Sequence, residues 1–370
     1  MKFILSNIDV SEAVSKMGRL MTAKTTIPVL EGVLVEALKD CIMFTASDGT
    51  ETIIHRIMID PVDGNSIVAE GRSVFTKDAF DVARKMKGHI TFEVKGDTQV
   101  SVSIDKTNME FPVMSAADYP KTEMGDSPNS VVLSGTEFAK VTTQTTFAAS
   151  KQEMRPILMG VNMSFKKGEN MFVSTDSHRL SRLQMKGIDN LEEDIQVTVP
   201  ATLLDKAVKS FDLSKDVIIL PKTNSIALAN GNTIFISRLL EGAFPDTSRL
   251  IPSDFATDLI VNRKELIDGL ELLETLNASV QLKVDGLFVE LSSSNSVGSK
   301  GTKELAFESY DGEEGFTIAF SASYVLDVLK RMDENSVKLR FNGQMKPFVI
   351  VSANEDETDT VQLVLPVRTV

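Results

Sequence analysis

The 370-residue sequence has no tryptophan, three tyrosines, three histidines and a single cysteine, and each scarcity excludes something. With aromatics at 6 %, a stacking platform for single-stranded nucleic acid is not expected. Cys41 alone rules out an intramolecular disulfide and fits a reducing cytoplasm. It sits in "DCIMFTAS", which reads as a strand, so a buried, inert thiol is expected. His55, His89 and His178 show no pair at ligand spacing, so no metal, no cofactor and no general-base histidine is expected. There is no G-x-x-x-x-G-K-[ST], no G-x-G-x-x-G and no G-x-S-x-G, which leaves nucleotide cradling and a nucleophile elbow unsupported. No stretch approaches eighteen apolar residues, so no membrane span is expected. The opening "MKFILSNIDV" is interrupted by Asn7 and Asp9 and is too short an apolar run for a signal segment.

Hydrophobic residues at 42 % and charged residues at 25 % are ordinary for a globular chain, and the length suggests two or three domains. The net charge of −13 lowers the expectation of nucleic-acid binding by bulk basicity. It does not close the question, because charges more than roughly 8 Å apart are screened at physiological salt and a local basic face can still act. The acidic runs "NLEED", "DGEEG" and "NEDETD" lie between strand patterns and read as solvated turns.

Self-comparison is the most informative pass. "TIPVLEGVLVEALKDCIMFTASDGTETIIHRI" from residue 26 and "RPILMGVNMSFKKGENMFVSTDSHRLSRLQM" from residue 155 share a Pro-x-Leu start, a Gly-Val, an alternating strand, a polar turn and a second strand ending in Asp. Ile27 to Leu30 match Arg155 to Leu158, and Asp48 matches Asp176, at one offset of 128 residues. The connectors "SAADYPKTE" and "LEGAFPDTSR" each place an aromatic-Pro pair where an alternating strand ends, which suits an ordered, extended linker. "LSNIDVSEAVSKMGRL", "LSGTEFAKVTTQTTF" and "IVNRKELIDGLELLETL" repeat one helix. "SVFTKDAFDVARKMKG", "VTVPATLLDKAVKSFD" and "IAFSASYVLDVLKRMD" repeat another. Leu203, Leu204, Ala207, Val208 and Phe211 stand at helical spacing, and an antiparallel sheet can cover such a stripe. The expected fold is α+β in three modules, residues 1–125, 126–252 and 253–370, with helices along one face of antiparallel sheets.

"VSTDSHRL" (173–180) gathers serine, aspartate, histidine and arginine, the residue types of a catalytic triad. On a strand, however, Asp176 and His178 share one face and Ser177 the other, so no triad converges and no catalytic residue is expected. Two readings remain open: a strand end whose polar groups satisfy one another, or a binding edge offering Leu180 beside a fixed Arg179 to a peptide.

Six separated motifs, "RPILMGVN", "STDSHRL", "SRLLEGAFPDTSRLIP", "SYVLDVLK", "MKPFVI" and "VQLVLPVRTV", resemble the bacterial sliding-clamp family, the beta subunit of DNA polymerase III, in its Gram-positive, firmicute form. The resemblance covers essentially the whole chain in order. It implies three clamp domains per chain and a head-to-tail homodimeric ring around double-stranded DNA, gripped without sequence preference. It also implies a non-catalytic, cytoplasmic processivity factor without cofactors. Its partners would be the DNA polymerase III catalytic subunit, a clamp loader and other proteins carrying a clamp-binding motif. Twelve inward helices at about 9 Å spacing give a circumference of about 110 Å and a diameter near 34 Å, which admits a duplex with a layer of water. A closed ring cannot leave sideways, so weak phosphate contacts suffice.

The resemblance further implies a partner-peptide pocket between the second and third domains. It nominates Leu158, Thr175, Ser177, His178, Arg179 and Leu180. From the linker come Pro245, Arg249 and Leu250, and from the third module Ser321, Tyr324, Met345 and Pro347. The tail adds Leu363, Leu365, Pro366, Val367 and Arg368. Arg179, Arg249 and Arg368 would supply polar rim contacts. The likeness nominates Lys24 before "TTIP", Lys77, Arg84, the loop pair Lys151 and Gln152, and Lys206 as DNA-facing groups; the lumen helices it implies also carry Lys16, Arg19, Lys85, Lys87, Lys140, Lys209, Lys330 and Arg331. Met109 and Phe111 against Leu272 and Leu273 are the expected dimer seam. Two departures from the family pattern leave both a main replicative clamp and a divergent second copy open. "LLETLNASVQL" runs almost directly into the next strand without the longer basic loop, and "VPATLLDKA" lacks a basic residue after its Pro. The rival reading is a monomeric adaptor that binds peptides without encircling DNA.

Overall fold

A computed structural model describes residues 1–18, 20–22, 25–96, 98–121, 130–187, 191, 193–286, 288–354 and 359–368. Lys24 and Arg19 lie outside the described residues, as does the expected first domain boundary near 125. Among the described residues the six α-helices are α1 (Asn7–Met17), α2 (Lys77–Ala83), α3 (Gly135–Thr145), α4 (Ala201–Ser210), α5 (Arg263–Glu274) and α6 (Ala322–Leu329). Their starts are written in local chemistry. Ser6 Oγ accepts from Asp9 N at 3.2 Å, and Asn262 Oδ1 accepts from Glu265 N at 3.1 Å. Before α3, Ser134 and Glu137 form a reciprocal capping box: Glu137 N donates to Ser134 Oγ, and Ser134 N donates to Glu137 Oε2.

The chain divides into two compact units, residues 1–138 with 206–239, and residues 139–205 with 240–370, so the division runs through the middle repeat rather than between repeats. In the first unit a thirteen-stranded antiparallel sheet runs in the order Val131–Leu133, Val217–Pro221, Ser225–Asn230, Thr233–Arg238, Glu51–Met58, Cys41–Ser47, Val33–Ala37, Gly71–Phe75, Thr107–Met114, Gln99–Ile104, His89–Lys95, Lys2–Ser6 and Ser66–Ala69. Phe3, Phe75 and Phe92 stack beneath α1 and α2, with Phe3 and Phe92 centroids 4.9 Å apart. Cys41 is buried, as its strand pattern implies.

The second unit holds a nine-stranded sheet in the order Ile195–Pro200, Gly160–Lys166, Glu169–Thr175, Arg179–Lys186, Thr360–Val364, Phe348–Ser352, Ser336–Phe341, Thr257–Asn262 and Phe307–Asp311. A four-stranded sheet follows, in the order Lys300–Leu305, Phe288–Ser294, Ser279–Asp285 and Thr317–Ser321. Leu266, Leu270 and Leu273 of α5 and Val325, Leu326 and Leu329 of α6 share one core with these strands.

The repeat is visible in how the sheets are joined. Glu51–Met58 pairs with Thr233–Arg238, setting Glu51 opposite Ser237 and His55 opposite Thr233. Arg179–Lys186 pairs with Thr360–Val364, setting Arg179 opposite Val364 and Leu183 opposite Thr360. Glu51 and Arg179 are separated by the sequence offset of 128, so the same antiparallel joint is made twice.

Candidate functional site

The octapeptide closes a turn between two strands. Asp176 Oδ1 accepts from the backbone N of His178 at 2.9 Å and of Arg179 at 3.0 Å. Ser177 takes φ +77°, in the left-handed region. Arg179 then enters the interior. Its Nε donates to Asp176 Oδ2 at 3.0 Å, its Nη1 to Asp327 Oδ2 at 2.6 Å and its Nη2 to the Phe147 carbonyl at 2.8 Å. The guanidinium lies 4.7 Å from the Tyr324 ring centroid, and His178 stacks on the same tyrosine at 6.2 Å. Burial, and secondarily the Asp176 carboxylate, raise the Tyr324 pKa. The expectation of Arg179 as a rim contact is therefore corrected. Each of its three nitrogens is engaged within the chain, and its residue exposure is 7 %, so it braces the turn against α6.

The structure brings much of the nominated pocket together on one face of the nine-stranded sheet. Leu180 and Leu363 face each other in register and pack with Val173 and Val349. Leu365, Phe244, Ile251, Phe255, Met171, Val351 and Val361 border that cluster. Leu365 N donates to the His178 carbonyl at 2.9 Å, Val367 N donates to the Ala319 carbonyl at 2.8 Å, and Pro366 bridges to Phe320. The tail is thereby fastened between the octapeptide and the strand ending in Ser321, whose Oγ lies 3.0 Å from Ser323 Oγ. Leu180 and Leu363 are buried and form floor rather than lining, and Leu158 is buried outside that cluster. Thr175 is also buried, its Oγ1 donating to the Arg179 carbonyl at 2.6 Å. Pro245, Arg249, Leu250, Met345 and Arg368 are exposed, and Pro347 is half-buried beside Phe348. Sequence reasoning missed Phe244 and Ile251, whose signal was their place beside Pro245 and Leu250 in the linker. It also missed Asp327, which stands in "SYVLDVLK" three residues after Tyr324.

The nominated cations differ in freedom. Lys151 and Gln152 lie in an exposed loop, the backbone N of Gln152 donating to Ser150 Oγ at 3.1 Å. Lys77 and Arg84 are exposed on α2 and share Asp81, at 3.8 and 3.2 Å. Lys206 departs from expectation: its ammonium is bound to the Glu51 carboxylate, whose side chain is 10 % exposed. A buried carboxylate needs that partner, so Lys206 is committed internally. A cleft of 340 Å³ lies between α1 and the end of α4, over Ile53 and Phe235. Lys16 enters it held by Glu12 at 2.6 Å and Thr233 Oγ1 at 3.2 Å, whereas Lys209 has no ion-pair partner among the described residues.

Of the seam residues, Met109 is 45 % and Leu272 60 % exposed, and Phe111 is half-buried. Leu273 is corrected. It is buried at 1 %, because it continues the Leu266–Leu270 stripe of α5 toward the core while Leu272, about 100° around the helix, points out.

Family comparisons agree with this geometry. The model of the DNA polymerase III beta subunit N-terminal domain matches residues 1–123, that of the central domain 132–246 and that of the C-terminal domain 248–368. The Beta sliding clamp of Bacillus subtilis (strain 168) is 31 % identical over 380 residues, covering 100 % of both chains. That of Staphylococcus aureus (strain Mu50 / ATCC 700699) is 32 % identical over 364 residues, covering 95 % of each. Among solved structures, the beta subunit from DNA polymerase of Streptococcus pyogenes superposes with TM-score 0.94 at 25 % identity, and the DNA polymerase sliding clamp from Bacillus subtilis with 0.93 at 29 %, each over 100 % of both chains. Three repeats, two identical sheet joints, a fastened tail and full-length similarity lead to one assignment: this chain belongs to the bacterial DNA polymerase III beta subunit, or beta sliding clamp, family.

Proposed function

We propose that two copies of this chain close head to tail into a ring that encircles duplex DNA and tethers the DNA polymerase III catalytic subunit and other motif-bearing proteins. The observation that carries the reading is an unmatched edge. Thr233–Arg238 and Thr360–Val364 each complete the sheet of the preceding repeat. Their counterpart in the first repeat is Thr107–Met114, since Thr107, Thr233 and Thr360 stand at steps of 126 and 127 residues. Along 107–112 that strand pairs, among the described residues, only with Gln99–Ile104. Lys300–Leu305, last in its four-stranded sheet, pairs among the described residues only with Phe288–Ser294. Exposed strand edges of this kind invite another strand. A second copy that pairs its Thr107–Met114 with Lys300–Leu305 repeats the internal joint, and a heterologous contact that closes gives a ring.

Domains of 1–125, 126–252 and 253–370 follow from this repeat. The apolar floor of Leu180, Leu363 and Leu365 under an exposed Leu250 suits a short apolar peptide. A clamp loader opens and shuts the ring, and the protein works in the cytoplasm, at the replication fork. No helix among the described residues is long and apolar enough to cross a membrane. Catalysis is left to the polymerase. The deciding experiment loads the protein onto nicked circular DNA and then linearises the circle. A topologically held ring runs off the ends, and protein that stays bound after linearisation overturns the reading. A sedimenting species of 40.5 kDa at micromolar concentration would favour the monomeric adaptor instead.

A further inference from the structure

Arg179 is engaged within the chain, but the arginine three residues further along is not. Arg182 lies inside the nine-stranded sheet, paired with Val173 on one side and Val361 on the other. Its neighbour Ser181 turns to the helices, where its Oγ donates to the Gln144 carbonyl of α3, and Leu183 is buried. Strand alternation therefore puts Arg182 on the opposite face, the one that carries Leu180 and Leu363. Arg182 is half-buried, its Nε is shut away without a hydrogen-bond partner, and it makes no ion pair among the described residues. Burial disfavours its charge, and the Glu169 carboxylate opposes this only from beyond ion-pair contact.

Three strands away the same face repeats the situation. Lys338 is paired with Ile260 and Val351, is half-buried, and has no ion-pair partner among the described residues. Arg340, two residues on, is matched by Asp258 at 3.0 Å. Between the two unmatched cations lie Val361 and Val351, and both border the Leu180–Leu363 cluster. The fold itself does not require charge here. In the joint between the first two repeats the corresponding positions are Ile54, opposite Ile234, and Ile218, opposite Ala229. The cations belong to the joint whose outer face carries the apolar peptide floor. A half-buried guanidinium without a counter-charge is costly to keep, and a carboxylate brought to it is attracted more strongly than at an open surface.

We propose that Arg182 is a specificity-determining residue of the peptide groove: it receives the carboxylate of an acidic side chain that a partner peptide carries beside its apolar anchor. Lys338 adds attraction of the same sign from the far end of the row. The proposal rests on the reading that the Leu180–Leu363 floor binds a peptide. Leu180 and Arg182 stand about 7 Å apart along their strand, so an extended peptide places the acid within two residues of its anchor. The planar fork of an arginine suits a carboxylate better than a neutral amide.

The test selects peptides from a random heptapeptide display library on the immobilised full chain, on Arg182→Ile and on Lys338→Ile, which install the residues of the other joint. The unsubstituted chain is expected to enrich sequences with Asp or Glu within two residues of a Leu or Phe. Arg182→Ile should keep the apolar anchor and lose the acidic preference, and Lys338→Ile should weaken it. The best peptide is then resynthesised with its acid exchanged for the matching amide. In fluorescence anisotropy this exchange should lower affinity about tenfold on the unsubstituted chain and by no more than about twofold on Arg182→Ile. Should isoleucine disturb the fold, Arg182→Gln and the amide exchange on the unsubstituted chain still decide. Apolar peptides enriched without an acid, or an acidic preference that survives Arg182→Ile, overturn the proposal and leave the groove standing. No enriched peptide at all overturns the groove and the proposal together. A labelled oligothymidylate whose binding is lost in Arg182→Ile, with peptides unaffected, assigns the cations to nucleic acid and overturns it as well.

Discussion

Arg179 and Asp327 meet at 2.6 Å across 148 residues of sequence, joining the octapeptide turn to α6. Tyr324 is held between this guanidinium and the His178 ring. Because the arginine is nearly fully buried while Asp327 is 41 % exposed, the two partners are unequal. Arg179→Ala leaves Asp176, Asp327 and the Phe147 carbonyl facing a void and is expected to cost about 2–4 kcal/mol. Asp327→Asn keeps a hydrogen-bond acceptor and should cost about 1 kcal/mol. Arg179→Lys will not restore stability, since an ammonium cannot reach three acceptors in a plane. Urea unfolding followed by far-UV circular dichroism, suited to a chain without tryptophan, reads the differences.

His55 supplies the pH prediction. Burial, and then the neighbouring Lys16 cation, lower its pKa from the usual 6.5 of a histidine to about 4, against the smaller raising effects of Glu12 and Asp9. Its Nδ1 lies 3.0 Å from Thr233 Oγ1 at the joint between the first two repeats. The folded chain holds the ring neutral where the unfolded chain protonates it. The contribution is therefore full above pH 6.5 and is lost as pH falls toward 4, amounting to about 2–3 kcal/mol. Wild type and His55→Gln should converge in stability as pH drops through this window. Parallel pH profiles would show that His55 is not the titrating group.

Ser177 occupies by position the place that Gly49 holds in the first repeat, 128 residues earlier, and both take positive φ, +77° and +89°. A serine there pays the left-handed cost that glycine avoids. Ser177→Gly is expected to stabilise by about 0.5 kcal/mol and Gly49→Ala to destabilise by about 1 kcal/mol, read as opposite shifts in melting temperature.

The sequence carried the repeat, the helix starts and the linkers clearly, because periodicity and capping are local properties. The 128-residue offset already contained the sheet joint, since it aligned Glu51 with Arg179. What it could not carry was partner choice across the chain. Nothing local distinguishes a lysine bound to a buried carboxylate, as in Lys206, from one left free, as in Lys209. The same limit explains Arg179, read as a rim contact until Asp327 and Phe147 are seen beside it. Leu273 was a different matter: the Leu266–Leu270 spacing would have placed it inward, and adjacency to Leu272 obscured that.

The two leucines of α5 now separate assembly from folding. Leu272→Asp puts a charge on an exposed position beside the free edge Lys300–Leu305 and should give a folded monomer by sedimentation, with unchanged circular dichroism. Leu273→Asp puts an uncompensated carboxylate in the third module's core and should prevent folding of that module. A Leu272→Asp chain that still dimerises would move the seam elsewhere.

Lys206 and Lys209 lie one turn apart on α4, yet the structure gives them different work. Lys209 is exposed and has no ion-pair partner among the described residues, so a phosphate gains its charge without breaking an ion pair described there. If it faces duplex DNA, Lys209→Ala should lower the slope of log K against log salt by about 0.9, equally for all sequences. Lys206 binds Glu51, and its removal leaves a nearly buried carboxylate without a partner. Lys206→Ala should therefore leave the salt slope unchanged while destabilising the fold by about 1–3 kcal/mol. Adding Glu51→Ala should recover part of that loss, because the orphaned charge is gone. Salt titrations on short duplexes, paired with urea unfolding of the same variants, separate the two roles. A slope that drops for Lys206→Ala and holds for Lys209→Ala would mean that the Glu51 pair opens when DNA enters.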